Sequence, residues 1–282
     1  MNAKILITGA SGNLGNAIVR KLSKKNVNII AGTRNTKNYQ GPGEAKKVDY
    51  SDPESFGPAL EGVEKVLLMA PPMDATAAQT LPPFIDVSKK VEVKKIILVS
   101  AFGADTSEEA PLRIIERHLM GSGISFTILR PNFYMENFTL GFALPMIKHQ
   151  NGLFLAAADG KTSFISVEDI ASVVVKTMTE DGHDGKEYNL TGPRALDHNE
   201  IVEIISSYAG RAINYVPITM EEQKNSAIAN GMPEPAAEYM NMLYGAVSAG
   251  YTAGITNDFE TITGNKPISF REFADINGDI WK

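Results

Sequence analysis

The chain of 282 residues has no cysteine, one tryptophan and only four histidines. Without cysteine it cannot form disulfides, thiolate zinc sites, cysteine nucleophiles or iron–sulfur clusters. His118, His149, His183 and His198 are scattered, and none stands at metal-ligand spacing from another. No apolar run has the length of a membrane span, and the first run is too short for a signal peptide. We expect no metal site, no membrane association and a cytoplasmic location, which suits a chain without cysteine.

The chain also lacks an excess of positive charge. Acidic residues outnumber basic ones, 33 to 27, and the formal net charge is −6. Nucleic acids and anionic membranes attract proteins through excess positive charge, so neither is expected as a partner. The oligomeric state cannot be read from the sequence, and a homodimer is left open.

Short apolar runs alternate with amphipathic segments through the first two thirds of the chain. This alternation predicts an α/β fold, a doubly wound parallel sheet of the Rossmann type with a smaller C-terminal α/β lobe. We expect the Rossmann domain to span 1–192 and the smaller lobe 193–282, with 134–155 contributing to the lobe. The strands are predicted at 5–8, 27–31, around Val48 to Tyr50, and at 66–69, 96–99 and 126–129.

Two helix starts in the second half carry a reciprocal capping pattern. Asp197 is followed three residues later by Glu200, and Thr219 by Glu222. In such a pair each side chain accepts from the other residue's backbone N–H. The pattern predicts one helix from each pair.

A glycine-rich segment joins the first predicted strand to the first predicted helix. Backbone N–H groups at a helix N-terminus lack partners and carry about half a positive charge, so a pyrophosphate can bind where glycine allows close approach. The spacing is G-x-x-G-x-x-G, one residue longer in its first step than the usual dinucleotide fingerprint. A plain tight turn is the alternative. The predicted cofactor contacts are Gly9, Ala10, Ser11, Gly12, Asn13, Leu14 and Gly15.

No acidic residue precedes Glu44. Enzymes that use NAD place Asp or Glu at the end of the second strand to bind the ribose 2′-hydroxyl. This chain has Arg34 there, and a guanidinium suits a 2′-phosphate because it makes paired, charge-assisted hydrogen bonds. The pattern favours NADP(H) over NAD(H), with a solvated surface arginine as the alternative. Asp49 is predicted either to contact the adenine or to serve only as a turn residue.

The Tyr-x-x-x-Lys pair of ketone-reducing short-chain dehydrogenases is missing. None of the nine tyrosines is followed four residues later by lysine. In that pair the lysine lowers the pKa of the tyrosine, which then passes a proton. Gly121-Ser122-Gly123 also lacks the G-x-S-x-G elbow of serine hydrolases. We therefore assign no catalytic residue, and sugar epimerisation is disfavoured.

Several segments together carry a family resemblance. The chain resembles the NmrA-like branch of the atypical short-chain dehydrogenases/reductases. Within it, the chain is similar to bacterial NADPH-dependent quinone oxidoreductases and triphenylmethane dye reductases. The matching segments are 7–15, 33–35, 128–137, 163–171, 188–193, 264–267 and 270–273.

The resemblance implies where ligands lie. Residues that follow the fourth, fifth and sixth strands would border the nicotinamide, at the strand ends where open α/β sheets bind ligands. For the aromatic residues among them, packing in the core is the alternative. The implied cofactor contacts are Ala70, Pro71, Pro72, Ser100, Ala101, Pro131, Asn132 and Phe133, and the implied substrate contacts are Phe102, Tyr134 and Asn137.

One departure from the resembled family concerns proton donation. Dye and quinone reductases often carry His or Lys four residues before a Glu; here Glu116 matches and Leu112 stands at the basic position. His118 falls on another side of the helix, and the identity of any proton donor stays open.

The resemblance implies hydride transfer from NADPH to a small-molecule electron acceptor, a quinone or a similar flat aromatic or dye. Such transfer depends chiefly on holding the acceptor in place, and water can supply the proton. The alternative is a non-catalytic NAD(P) redox sensor of the NmrA type.

Overall fold

The computed structural model describes residues 3–282, which form two compact units. The first unit contains the described residues up to Pro131 together with Val167–Asn189. The second contains Asn132–Ser166 and Leu190–Lys282. The expected division was 1–192 and 193–282, with 134–155 contributing to the second part; in the structure the chain passes between the units at 131/132, 166/167 and 189/190.

The nine strands and twelve α-helices follow one another along the whole described chain. The strands are β1 Lys4–Ile7, β2 Asn28–Thr33, β3 Glu44–Lys47, β4 Lys65–Met69, β5 Lys95–Val99, β6 Ser125–Pro131, β7 Gly152–Leu155, β8 Lys186–Leu190 and β9 Asn214–Pro217. The helices are α1 Asn13–Leu22, α2 Phe56–Leu60, α3 Ala77–Thr80, α4 Pro82–Lys90, α5 Pro111–Gly121, α6 Ala143–Gln150, α7 Val167–Thr179, α8 His198–Ala209, α9 Met220–Ala229, α10 Glu234–Ser248, α11 Asp258–Thr263 and α12 Phe270–Asn277.

The first unit is built on a seven-stranded sheet in the order β3-β2-β1-β4-β5-β6-β8. The neighbouring strands from β3 to β6 run parallel, with Ile7 level with Ala31 on one side and Leu67 on the other. The central strands are buried on both faces, which explains their continuous apolar sequence. The chain order reverses beside β1, and such a switch point is where doubly wound sheets bind ligands. The predicted Rossmann fold is confirmed.

Residues 167–189 belong to the first unit because they add a helix that packs on α1 and a strand at the edge of the sheet. Helix α7 packs on α1, where Glu168 pairs with Arg20 at 2.6 Å and with Lys21 at 3.0 Å. Strand β8 then extends the sheet beside β6.

The third strand was predicted around Val48 to Tyr50, whereas the structure has it at Glu44–Lys47. It ends at Lys47, and Val48 follows it, although the Val48 N–H still donates to the carbonyl of Thr33 at 3.1 Å. The Asp49 carboxylate accepts from the N–H and the hydroxyl of Ser51, which turns the chain out of the sheet. The apolar Val48 fills the core beside the strand.

The second unit has a smaller two-stranded parallel sheet, β7 with β9, which was not predicted. Each strand has only four residues, too few for a period-two pattern to emerge from the sequence. The predicted capping boxes of α8 and α9 are confirmed. Trp281 is fully buried and donates from Nε1 to the carbonyl of Phe138 at 2.7 Å. Between residues 3 and 282, no helix has the length and apolar character needed to cross a membrane.

Candidate functional site

The turn from β1 to α1 presents a helix end free of acidic side chains. Gly12 is the N-cap of α1 in an extended conformation, and no side chain caps the helix. The first turn contains no Asp or Glu. An anion placed there meets unpaired N–H groups and the positive end of the helix dipole. The turn therefore fits a pyrophosphate.

The glycines of this turn have separate steric roles. A Cβ on Gly15 would lie 2.1 Å from the carbonyl oxygen of Gly9, so only glycine lets α1 pack this closely on the turn. Gly9 itself has a φ of +63°, in the left-handed region that favours glycine. A Cβ on Gly12 would meet only the Gly9 oxygen, at 3.2 Å, and would otherwise enter open space. Gly12 thus keeps clear the approach that a phosphate needs.

The loop after β4 begins at a residue whose backbone is held by two polar side chains. Thr8 accepts from the N–H of Met69 at 3.0 Å, and Tyr50 donates to the carbonyl of Met69 at 3.0 Å. Burial raises the pKa of Tyr50, so its hydroxyl keeps its proton and remains a donor. These bonds fix the point from which the predicted site residues Ala70, Pro71 and Pro72 depart. The roles of Thr8 and Tyr50 could not be predicted from the sequence, because nothing local to either residue indicates its partner.

Arg34 follows β2 directly and is exposed. Its guanidinium forms no hydrogen bond or ion pair with any residue from 3 to 282. Asp49 is different: one of its carboxylate oxygens accepts from the Ser51 N–H at 3.1 Å and the Ser51 hydroxyl at 2.7 Å. The Ser51 hydroxyl is the main cause that lowers the pKa of Asp49, and the nearby charge of Arg34 adds to it. Asp49 acts as a turn residue, while its contact with adenine stays a prediction.

The ends of β5 and β6 are joined by backbone hydrogen bonds. Ser100 N–H donates to the Leu129 carbonyl at 2.8 Å, and Phe102 N–H donates to the Pro131 carbonyl at 2.9 Å. The Ser100 hydroxyl is sealed from solvent, and its interaction with Glu116 helps to lower the pKa of that carboxylate. The predicted residues of the first unit are therefore brought to one edge of the sheet, where β1, β2, β4, β5 and β6 end.

Glu116, the acid that the family resemblance singled out, is fully buried within the first unit. Arg130 donates to both of its oxygens at 2.8 Å, and Arg113 donates to one of them at 2.8 Å. Burial alone would raise the pKa of Glu116, but the hydrogen bonds from Arg130 and Arg113 outweigh it and lower the pKa. Arg130 also pairs with Glu187. Glu116 is thus the anionic centre of a buried ion network, a role that sequence spacing did not reveal.

The histidine two residues after Glu116 points elsewhere. His118 lies 2.7 Å from the Asp86 carboxylate and is partly exposed. Among residues 3–282, no three His, Asp or Glu side chains are grouped closely enough to hold a metal ion.

The remaining predicted residues lie in the second unit. The Asn132 amide donates to the Ser163 hydroxyl and the Thr252 carbonyl, each at 2.8 Å, and its oxygen accepts from the Phe133 N–H at 2.9 Å. Asn132 is buried, and these bonds tie three segments of the unit together. Its predicted contact with a cofactor stays a prediction.

Phe133, Tyr134 and Asn137 are only partly buried. The Phe133 ring meets Tyr244 edge to face at 5.9 Å and Phe164 at 6.4 Å. Phe133 therefore combines a packed edge with some exposed aromatic surface.

His198 is surrounded by aromatic rings in the second unit. Its ring is 5.2 Å from Tyr215 and 6.0 Å from Phe164, and it is 2% exposed. Its Nδ1 is sealed from solvent and has no hydrogen-bond partner. Burial lowers the pKa of His198 to about 4.

We expect His198 to make stability depend on pH. Between pH 6.5 and about 4 the unfolded chain binds a proton at this residue and the folded chain does not. Its contribution is complete above pH 6.5 and is lost as the pH falls towards 4, by about 3 kcal/mol in all. Urea unfolding across this range measures the slope. His198→Phe should flatten it, whereas His149→Gln, on an exposed histidine, should leave it unchanged; equal slopes in all three proteins would contradict the assignment.

Comparison with known families agrees with this architecture. The model of the NmrA-like family matches residues 1–255. The chain belongs to the NmrA-like family. Among its relatives, prestalk A differentiation protein A of Dictyostelium discoideum is 34% identical over 96% of this chain and 91% of its own. NAD(P)H azoreductase of Xenophilus azovorans is 31% identical over 96% of both chains.

Solved structures of other proteins share the whole fold of this NmrA-like chain. The NADPH-dependent quinone oxidoreductase of Escherichia coli, solved with NADPH, has a TM-score of 0.85 at 26% identity, covering 96% of this chain and 99% of its own. The triphenylmethane reductase of Citrobacter sp., solved with NADP(H), has a TM-score of 0.84 at 27% identity, covering 97% and 99%.

Proposed function

We propose that this protein is an NADP(H)-dependent oxidoreductase that reduces a quinone or a similarly flat aromatic or dye acceptor. The observation that carries the proposal is the pairing of an acid-free glycine turn at α1 with the unpartnered guanidinium of Arg34 at the end of β2. The two features stand on adjacent strands of the sheet, and one anionic dinucleotide can use both.

Each residue set has a separate task in this proposal. The N-terminus of α1 binds the pyrophosphate, and Arg34 binds the 2′-phosphate. The chain beyond β4 and β5 supports the nicotinamide, which supplies the hydride when the cofactor is bound. Phe133 offers an aromatic surface on which a flat acceptor can stack. No residue needs to pass a proton, because water can protonate the reduced acceptor.

The names of the relatives support this choice of acceptor. One relative is an azoreductase, and two structural neighbours are a quinone oxidoreductase and a triphenylmethane reductase. The acceptors that these names indicate share a conjugated aromatic system that can take up a hydride. The chain covers nearly their full length, so the comparison extends over both units.

NADPH oxidation tests the proposal directly. Purified protein should oxidise NADPH in the presence of benzoquinone, naphthoquinone or a triphenylmethane dye, at rates above a heat-denatured sample. NADPH binding is measured in parallel by calorimetry. Bound NADPH with no turnover of any of the three acceptors would overturn the proposal.

Arg34→Ala should weaken NADPH binding by about 10- to 100-fold, the usual value of hydrogen bonds to a charged group. NADH lacks the 2′-phosphate, so its dissociation constant should change little. Lys24→Ala removes the same charge from an exposed lysine beyond the far end of α1 and should leave both constants unchanged. Calorimetric titration of both cofactors measures the effect. Equal weakening of NADPH and NADH by Arg34→Ala would count against recognition of the 2′-phosphate.

A redox sensor without catalysis is the second candidate. It is favoured by the missing Tyr-x-x-x-Lys pair and by Leu112 at the position where resembled reductases carry a basic residue. A sensor should bind oxidised and reduced cofactor with similar affinity, whereas a reductase should prefer NADPH. Calorimetry with NADP⁺, NADPH, NAD⁺ and NADH separates the two.

A further inference from the structure

The tyrosine hydroxyls of the chain are mostly engaged. Buried phenols normally find a hydrogen-bond partner, since an unpaired buried hydroxyl costs free energy. Partners occur at Tyr39 with the Pro42 carbonyl, Tyr50 with Met69, Tyr188 with His183, Tyr208 with Asp275 and Tyr215 with the Leu155 carbonyl.

Tyr244 is the one tyrosine between residues 3 and 282 that is almost fully buried. It lies on α10 and is only 6% exposed, yet its hydroxyl has no hydrogen-bond partner between residues 3 and 282. Its oxygen is not one of the side-chain polar atoms that are sealed from solvent without a partner in the described part of the chain. Tyr244 therefore has a buried ring and a hydroxyl that still reaches solvent.

The neighbours of Tyr244 are aromatic. Its ring meets Phe133 at 5.9 Å with 63° between the planes, and His198 at 6.5 Å. Burial raises the pKa of Tyr244, so the hydroxyl keeps its proton and remains a hydrogen-bond donor. A donor beside an apolar aromatic surface suits a flat ligand that carries a carbonyl oxygen.

In the described part of the chain, two other tyrosine hydroxyls also lack a hydrogen-bond partner, and they serve as comparisons. Tyr251 is 76% exposed, so water satisfies its hydroxyl. Tyr134 follows Phe133 in sequence. Burial raises the pKa of Tyr134, and the negative charge of Glu136 adds to this effect. Tyr134 has no ring contact with Phe133, whereas Tyr244 packs against that ring directly.

We propose that Tyr244 binds the carbonyl oxygen of a quinone acceptor that stacks on Phe133, and stabilises the negative charge that forms on that oxygen during reduction. The inference rests on the proposed function and names the residue that recognises one class of acceptor. It predicts that quinones depend on Tyr244 and that acceptors without a carbonyl do not.

The reaction balances without proton transfer from the tyrosine. The quinone receives one hydride, that is two electrons and one proton, from NADPH, which leaves as NADP⁺. The resulting hydroquinone anion carries its negative charge on oxygen, where the Tyr244 hydroxyl donates a hydrogen bond. One proton from water then forms the hydroquinone. A triphenylmethane cation accepts the hydride on carbon and becomes neutral, so no oxyanion forms.

The test compares Tyr244→Phe with wild type on two acceptors. This substitution removes one oxygen and keeps the ring. We expect kcat/KM for naphthoquinone to fall by roughly 100- to 1,000-fold, as when a single donor to a forming oxyanion is lost. The value for a triphenylmethane dye and the dissociation constant of NADPH should stay within about twofold. Tyr251→Phe is the matched control, and it should leave both acceptors unchanged.

If the wild-type protein reduces quinones but no dye, the dye cannot serve as the comparison, and a binding measurement takes its place. Calorimetry in the presence of NADP⁺ compares naphthoquinone with naphthalene, which has the same rings and no carbonyl. Tyr244→Phe should weaken only naphthoquinone. Unchanged quinone turnover and binding in Tyr244→Phe, or an equal loss for both ligands, would overturn the inference. A wild type that binds NADPH but reduces no acceptor refutes the proposed function instead, and naphthoquinone binding still tests Tyr244.

Discussion

Gly15→Ala should abolish most NADPH binding while a matched glycine substitution has no such effect. The added methyl group would lie 2.1 Å from the Gly9 carbonyl oxygen, 2.7 Å from its carbon and 2.9 Å from the Ala10 Cα. All three atoms are backbone, so α1 must move away from the turn by about 1 Å to restore ordinary contact distances. A misplacement of this size costs on the order of 100-fold where groups must be held in register. Overpacking should also destabilise the fold by about 1–3 kcal/mol.

Gly121→Ala is the matched control for this change. Gly121 is also a helical glycine, at the end of α5, and a Cβ there would meet nothing within 4 Å. Alanine is intrinsically the better helix former, so Gly121→Ala should be neutral or slightly stabilising and should bind NADPH normally. Calorimetric titration and thermal unfolding of both variants give the comparison. Tight NADPH binding by Gly15→Ala would show that the turn does not hold the pyrophosphate.

Glu116→Gln should destabilise the protein by about 3–5 kcal/mol, the usual cost of breaking a buried ion pair from one side. The substitution keeps the shape of the side chain but leaves the Arg113 and Arg130 guanidinium groups without their shared carboxylate. Both arginines are almost fully buried, so water cannot replace it. Chemical denaturation at neutral pH measures the loss.

The effect of Glu116→Gln should depend on pH in a defined direction. The pKa of Glu116 is lowered in the folded protein, so its stabilisation is present above the ordinary value of 4.5 and is lost as the pH falls through the folded pKa. The gap between wild type and variant should therefore narrow below pH 4.5. Glu108→Gln is the control: Glu108 pairs with Arg113 too but is largely exposed, so its loss should be much smaller. Equal losses in the two variants would contradict the importance of burial.

The glycine turn and its cofactor preference could be predicted because their signals are local. A buried strand, three spaced glycines and an amphipathic helix are contiguous over residues 4–22, and this order is typical of turns that bind phosphate. The absence of acid before Glu44 and the position of Arg34 after β2 are likewise features of one short segment. The two capping boxes were predictable for the same reason, since each depends on residues three positions apart.

Features that join distant segments could not be predicted. Glu116 and Arg130 are fourteen residues apart, and Glu187 lies 57 residues beyond Arg130. Residues 167–189 belong to the first unit through long-range contacts, such as that of Glu168 in α7 with α1, which is almost 150 residues earlier. Strands β7 and β9 are joined only by pairing between residues 152 and 214, and their short sequences carry no periodic signal.

By itself, the sequence determined the Rossmann sheet, the glycine-rich turn and the place of Arg34, because periodicity, glycine and charge act within a few residues of the backbone. Only the tertiary structure decided which polar groups are satisfied. It showed Glu116 neutralised by two arginines, Asn132 fully bonded and the Tyr244 hydroxyl left without a partner. Hydrogen-bond partners depend on which segments meet in space, and this is why Tyr244, unmarked in the sequence, becomes a candidate for recognising the acceptor.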